Sequence, residues 1–241
     1  MNRYQAVLFD LDDTLCFSRP SYREVTRRVL ADLGYTFPRK RWRALWRWSH
    51  AFWASSPELK SLKERFADDP EGFWRAWNER KLRFLGVPQD DISRVLPALQ
   101  EAMQTWAEQS ESWVPEEVLH TLARLRERGL RLGLVTNRSQ SLEPDFLDRI
   151  GLAPYFDTVV VAADVGIWKP DPRIFHLTLE RLGASPETAV HVGDNYFADV
   201  QGARKAGLTA LLFDPHDLFP ELPIPRLRRL PHIWKHLDGR A

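Results

Sequence analysis

Five short stretches of the chain share one pattern: a near-continuous apolar run that stops abruptly at polar residues. Residues 6–10 read AVLFD and run into Leu11, Asp12, Asp13 and Thr14. Residues 130–137 read LRLGLVTN and meet Arg138 and Ser139, and residues 189–194 read AVHVGD and meet Asn195. The stretches 157–162 (DTVVVA) and 209–214 (TALLFD) are similar. Runs of this length predict strands buried on both faces, as in a parallel sheet. Between them lie helical periodicities. Residues 116–128 place Val118, Leu119, Leu122 and Leu125 on one face and end at Gly129. Residues 171–182 carry Ile174, Phe175, Leu177, Leu179 and Leu182 and stop at Gly183, and residues 198–206 end at Gly207. A glycine just past the last periodic residue is a helix stop. Strand and helix in alternation imply right-handed crossovers and an α/β fold, a Rossmann-like doubly wound parallel sheet. After a proline-rich stretch from Asp214, a last strand edge and a short helix are expected within 230–237.

Residues 16–113 break this rhythm and read as helical throughout, with no strand. In 41–53, Trp42, Leu45, Trp46, Ser49 and Trp53 fall on one helical face, while Arg39, Arg43 and Arg47 line another. Residues 91–106 repeat Ile92, Val95, Leu96, Leu99, Met103 and Trp106, with Pro97 as the expected point of a kink. The expected division is therefore an α/β core of residues 1–15 and 114–241, with residues 16–113 inserted after the first strand as an all-helical cap domain.

Composition changes this picture at a few points only. A chain of 241 residues with 44% hydrophobic and 28% charged residues can bury a substantial core. A net charge of +1 gives no bulk reason to expect nucleic acid or membrane. The N-terminal MNRYQAVLFDLDD is too short and too acidic to be a secretory signal or an anchor, so no membrane partner is expected. Cys16 is the only cysteine, which excludes an intrachain disulfide and fits a reducing, cytoplasmic setting. Seven of the ten tryptophans lie between Trp42 and Trp106, so the inserted segment differs in kind from the rest. Its run Arg39-Lys40-Arg41-Trp42-Arg43 interleaves basic and aromatic residues. We read it as an amphipathic cap helix, with arginines in solvent and tryptophans inside, in preference to a nucleic-acid surface.

In an open α/β sheet, ligands bind at the carboxyl ends of the strands. Those ends carry Asp10 with Asp12, Thr136 with Asn137, and Asp194, so distant parts of the chain should converge on one crevice. Asp10, Asp12, Asp194 and Asp199 would bring up to four carboxylates together, and like charges a few ångströms apart repel. Lys169 alone cannot compensate them. A divalent cation is the natural remainder, and a donor set made only of oxygens favours a hard ion, Mg²⁺. The same pattern admits blander readings: Asp13 and Thr14 as loop-holding residues, Asp199 as a first-turn helix residue favoured by the dipole, and His191 as a packed core histidine.

The motifs resemble those of the haloacid dehalogenase (HAD) superfamily. FDLDDT at 9–14 is similar to its DxDxT motif, VTN at 135–137 to its strand-ending Thr or Ser, Lys169 in GIWKPDPRIF to its lysine, and GDNYFAD at 193–199 to its spaced acidic pair. The helical insertion falls where one subgroup places its cap, and the resemblance covers essentially the whole chain. It implies a phosphatase acting on a small phosphorylated metabolite through an aspartyl-phosphate. Asp10 would be the nucleophile and Asp12 the general acid and then base. Thr136, Asn137 and Lys169 would bind phosphate, and Asp199 would support. Mg²⁺ would be held by Asp10, the Asp12 backbone carbonyl and Asp194. Asp12 argues against dehalogenation, because halide leaves unprotonated. The motifs leave open phosphoglucomutase-type transfer, and the Trp- and Arg-rich cap leaves open macromolecule binding. Arg19 and Trp46 are the cap positions to inspect first, and a monomer is compatible with the pattern.

Overall fold

The computed structural model describes residues 3–238, so the outermost residues of the expected core, 1, 2 and 239–241, lie outside it. Strand β1 (Ala6–Phe9) is wholly buried, as its four apolar residues require. The chain then passes through a short strand, β2 (Phe17–Arg19), into five helices. These are α1 (Tyr22–Asp32), α2 (Arg39–Trp53), α3 (Pro57–Arg65), α4 (Pro70–Leu85) and α5 (Gln89–Gln109). A second short strand, β3 (Glu111–Trp113), precedes the return to alternating structure: α6 (Glu116–Glu127), β4 (Arg131–Thr136), α7 (Phe146–Arg149), β5 (Thr158–Val161), α8 (Ala162–Val165), α9 (Pro172–Leu182) and β6 (Ala189–Gly193). A π-helical turn, Tyr196–Val200, leads into α10 (Gln201–Lys205), β7 (Thr209–Phe213), β8 (Arg226–Leu227) and α11 (Trp234–Leu237). The chain separates into two compact units, Met1–Phe17 with Trp113–Ala241, and Ser18–Ser112.

In the first unit six strands form one sheet in the order β5-β4-β1-β6-β7-β8. Every pairing is parallel. Phe9 lies opposite Leu134 on one side and Val192 on the other, so β1, β4 and β6 end at one edge. The order reverses between β1 and β6, and this is the switch point at which open sheets open a crevice for ligands. Helices pack over the sheet because its strands are apolar on both faces; Leu8, Phe9, Leu132, Leu134, Val190 and Val192 are fully buried. Gly133 is required by that packing, since a Cβ there would meet Thr178 Cγ2 of α9 at 2.9 Å.

The helical unit is built on caps and aromatics. Ser21 and Glu24 form a capping box at α1, and Ser56 and Asp69 cap α3 and α4. Phe52, Leu59, Leu62 and Trp77 form an interior cluster flanked by Trp48, Trp53, Phe66 and Phe73. Trp77 stacks on Phe52 at 4.4 Å and on Trp48 at 5.1 Å. Among the described residues no helix is long and apolar enough to cross a membrane.

Three local expectations are corrected. The last strand lies at Arg226–Leu227, and 230–237 is a 3₁₀ turn followed by α11; Pro231 lacks an N–H for a ladder and suits a first helical turn. The helix expected over 198–206 starts as the π-helical turn because Asn195 Oδ1 accepts from the N–H groups of Phe197 and Ala198. Residues 16–113, read as free of strand, carry β2 and β3 at their margins.

Candidate active site

The carboxyl edge of β1, β4 and β6 gathers several charged side chains around one lysine. Lys169, in the loop before α9, is 1% exposed, and its ammonium donates to Asp10 Oδ1 at 2.5 Å, Asp199 Oδ1 at 2.7 Å and the Val135 carbonyl at 2.9 Å. A lysine buried this deeply is stable only when its donors are matched, and all three are. The Asn137 side chain holds the loop that presents it. Its Nδ2 donates to the Lys169 carbonyl at 2.9 Å, and its Oδ1 accepts from the Lys169 N–H at 2.8 Å.

Asp10 follows β1 directly, and its own N–H still donates to the Val192 carbonyl of β6 at 2.9 Å, which fixes its direction. The Thr14 hydroxyl donates to Asp10 Oδ2 at 3.4 Å and accepts from the Asp194 N–H at 3.1 Å, so one hydroxyl joins the first and last acidic loops. Asp199 Oδ2 accepts from the Asn195 N–H at 2.9 Å, and its Oδ1 also meets His191 Nε2 at 3.0 Å. Gly193 permits this close approach: a Cβ there would lie 2.2 Å from Asp199 Cγ.

Burial pushes the Asp10 carboxyl up to about 7, against the pull of Lys169 and with a further push from Asp199. Burial acts on Asp199 in the same sense, but the Lys169 charge and the His191 hydrogen bond outweigh it and hold Asp199 well below the carboxylate range. Burial would lower the Lys169 ammonium; the two carboxylates overcome that and raise it above its ordinary value. His191 is pulled down by burial, so its neutral ring donates through Nε2 to Asp199.

The structure thus brings Asp10, Lys169 and Asp199 into direct contact. Asp194 joins the acids, since one carboxylate oxygen from each of Asp10, Asp194 and Asp199 lies within 4.8 Å of the others. Thr136 ends β4 at this edge, and its hydroxyl has no hydrogen-bond partner among the described residues. Asp12 points elsewhere: Arg138 clasps it with Nε to Oδ2 at 2.9 Å and Nη2 to Oδ1 at 2.7 Å, while lying over the Phe146 ring at 4.4 Å. Sequence reasoning passed over Arg138 and the link from His191 to Asp199. The first carries no signal beyond its place after Asn137. The second was visible as a polar residue in a buried strand.

Three carboxylates against one buried ammonium leave a negative surplus, and every available donor is oxygen. That set fits a hard divalent cation.

The sequence profile of the haloacid dehalogenase-like hydrolases matches residues 4–207. Over 235 residues the chain is 35% identical to the phosphoserine phosphatase of Thermus thermophilus, covering 90% of this chain and 91% of that one. Among solved structures, a HAD phosphatase from Thermococcus onnurineus is similar with a TM-score of 0.54 and 26% identity, covering 98% of both chains. A 2-haloacid dehalogenase from Pseudomonas syringae pv. Tomato DC3000 gives a TM-score of 0.56 and 26% identity, covering 99% of this chain and 100% of that one.

Proposed function

The chain belongs to the haloacid dehalogenase-like hydrolase family, and from that premise we propose that it is a phosphatase that hydrolyses a small phosphorylated substrate through an aspartyl-phosphate at Asp10. The observation that carries this reading is the buried Lys169 ammonium shared between Asp10 and Asp199 at the carboxyl edge of the sheet. Lys169 fixes Asp10 Oδ1 in place and leaves Oδ2, met among the described residues only by the long Thr14 hydrogen bond, as the attacking atom.

In the first half-reaction an Asp10 oxygen forms a bond to phosphorus while the bond from phosphorus to the substrate oxygen breaks. The departing oxygen takes its electron pair and receives a proton from Asp12. In the second, water attacks the same phosphorus, Asp12 takes the water proton, and the acyl–phosphate bond breaks to return the Asp10 carboxylate and inorganic phosphate. The Thr136 hydroxyl, the Asn137 N–H and the Lys169 ammonium are the donors for the phosphoryl oxygens, the electrostatic role on which phosphoryl transfer mainly depends. Asp12 supplies what an alcohol leaving group needs and a halide does not, which supports phosphate over halide release. In the free protein Arg138 holds the Asp12 carboxylate through both oxygens, so Asp12 leaves that ion pair and takes up a proton before it acts as the acid.

Mg²⁺ would be held by Asp10, Asp194 and the Asp12 backbone carbonyl. Asp199 already spends its oxygens on Lys169, His191 and Asn195 and acts as their anchor. When bound, the ion would neutralise charge on the phosphoryl group. The test is phosphate release from 4-nitrophenyl phosphate. Wild type should require Mg²⁺ and lose activity with EDTA, and Asp10→Asn should lose activity by about a thousandfold or more, as when a nucleophile is removed. Equal rates for the two proteins would overturn the reading.

A further inference from the structure

Arg138 stands one residue past Asn137, whose side chain brackets the Lys169 backbone, so the loop that carries it is tied to the acidic edge. Its own carbonyl accepts from the Ala163 N–H of α8 at 3.3 Å. Its guanidinium lies over the Phe146 ring of α7 at 4.4 Å, a cation–π contact. Neither of these contacts involves Asp12. The third does: Nε donates to Asp12 Oδ2 at 2.9 Å and Nη2 to Oδ1 at 2.7 Å, the parallel two-bond fit of a guanidinium on a carboxylate. Burial would lower the guanidinium; the Asp12 hydrogen bond and charge, with further pulls from Cys16 and Asp10, outweigh it and raise it. Arg138 is therefore within electrostatic reach of the proposed nucleophile.

Two features make this pair a poor structural tie and a good receptor. The Asp12 side chain is 52% exposed and that of Arg138 28%, and an ion pair this open adds little to the stability of a fold. The other feature is the work assigned to Asp12. To protonate a departing oxygen it must touch that oxygen, and it cannot do so with both of its own oxygens on Arg138. When Asp12 turns away, the guanidinium keeps its place through Phe146 and its pinned backbone. It then lies one carboxyl group from the leaving oxygen. Among the described residues Asp12 is the only acid hydrogen-bonded to it, so no other side chain replaces Asp12 on the fork. The group seen to fit there is a carboxylate.

We propose that Arg138 is a specificity residue of the site: its guanidinium binds a carboxylate that the substrate carries on the carbon bearing the phosphate ester, and that carboxylate takes the place of Asp12. The proposal rests on the phosphatase reading above and names its substrate class, the phosphate esters of 2-hydroxy carboxylic acids. The exchange also readies the acid. The entering carboxylate occupies the fork, and Asp12 is released, takes a proton from solvent and meets the leaving oxygen. An ester without a carboxylate has nothing to exchange, and Asp12 must then abandon Arg138 with no replacement.

The experiment has two arms on the full chain with Mg²⁺. In the first, phosphate release is compared for 2-phospholactate and isopropyl phosphate, in which a methyl group replaces the carboxylate. Wild type should show a kcat/KM about tenfold or more higher for 2-phospholactate, the worth of a hydrogen bond between charged groups. Arg138→Gln should abolish that preference and raise kcat for isopropyl phosphate by up to about fivefold, because Asp12 no longer leaves an exposed ion pair. Arg138→Lys keeps the charge without the two-point fit, and its preference should fall between the two. A gain on the ester without a carboxylate is a result that a merely structural role for Arg138 cannot give. No preference in wild type, a preference kept in Arg138→Gln, or an equal loss on both esters overturns the proposal. The second arm needs no turnover. Calorimetric titration with 3-phosphonopropanoate and with propylphosphonate should show about tenfold tighter binding of the first by wild type and equal binding by Arg138→Gln. Equal affinities in wild type would again overturn the proposal. Phosphate release from neither ester would sink the phosphatase reading, and the titrations would then decide the carboxylate site on their own.

Discussion

Lys169 is the residue on which the site turns. It is enclosed, charged, and the shared partner of Asp10 and Asp199. Replacing it by methionine leaves two buried carboxylates without their cation. Removing one partner of a buried ion pair costs about 3–5 kcal/mol, so Lys169→Met should lose stability on that scale in urea denaturation as well as activity. A loss below about 1 kcal/mol, the range of an exposed pair, would mean that Lys169 does not hold the carboxylates as described. At this scale the sequence was informative about identity and silent about pairing. That Asp10, Asp194 and Thr136 stand at strand ends follows from the apolar runs that precede them. That Arg138 clasps Asp12, that His191 donates to Asp199 and that Asn137 brackets the Lys169 backbone depend on rotamers and loop paths. Periodicity does not encode these. His191 also shows how a correct expectation can be incomplete: it is a packed histidine, edge-on to Phe175 at 4.9 Å, and also a partner of Asp199.

At the scale of elements, the site depends on how closely the loop after β6 folds back on its strand. Asp199 lies on a π-helical turn whose first N–H groups are capped by Asn195, and Gly193 gives it room. A methyl group at Gly193 would sit inside the Asp199 carboxylate, which three hydrogen bonds pin in place. Gly193→Ala should therefore displace Asp199 and destabilise the protein by about 1–3 kcal/mol, the usual range for overpacking. A crystal structure of the variant should show the Lys169–Asp199 hydrogen bond broken, and an unchanged bond would contradict this account. The strands themselves were legible because parallel strands buried on both faces need unbroken apolar runs, and such runs are hard to mistake when glycines and polar residues end them. The margins were not. Strands as short as β2, β3 and β8 carry too few residues to establish a period, and Pro231 decides the geometry after Leu230 through its ring and not through hydropathy.

At the scale of the whole molecule, the sheet unit carries an acidic edge and the helical unit an aromatic interior. The acidic edge predicts a response to magnesium that needs no turnover. A ligand held a hundredfold above its Kd stabilises the folded state by about 2.7 kcal/mol, and each kcal/mol moves the Tm of a chain this size by roughly 2–4 °C. Mg²⁺ should therefore raise the Tm of wild type by several degrees and leave Asp194→Asn nearly unmoved, as read by calorimetry. Equal shifts in both proteins would place the ion elsewhere. The fold class and the family were readable in the sequence because the apolar runs and the polar motifs that end them stand in one order along the chain. The substrate's chemistry was not, because periodicity does not show which side chains line the site. The central claim is that Asp10 carries the phosphoryl group. Mixing the enzyme and Mg²⁺ with a ³²P-labelled phosphomonoester, quenching in acid within one turnover and mapping the label tests it directly. The label should sit on the peptide containing Asp10 and be absent from Asp10→Asn; full phosphate release with no labelled peptide would contradict it.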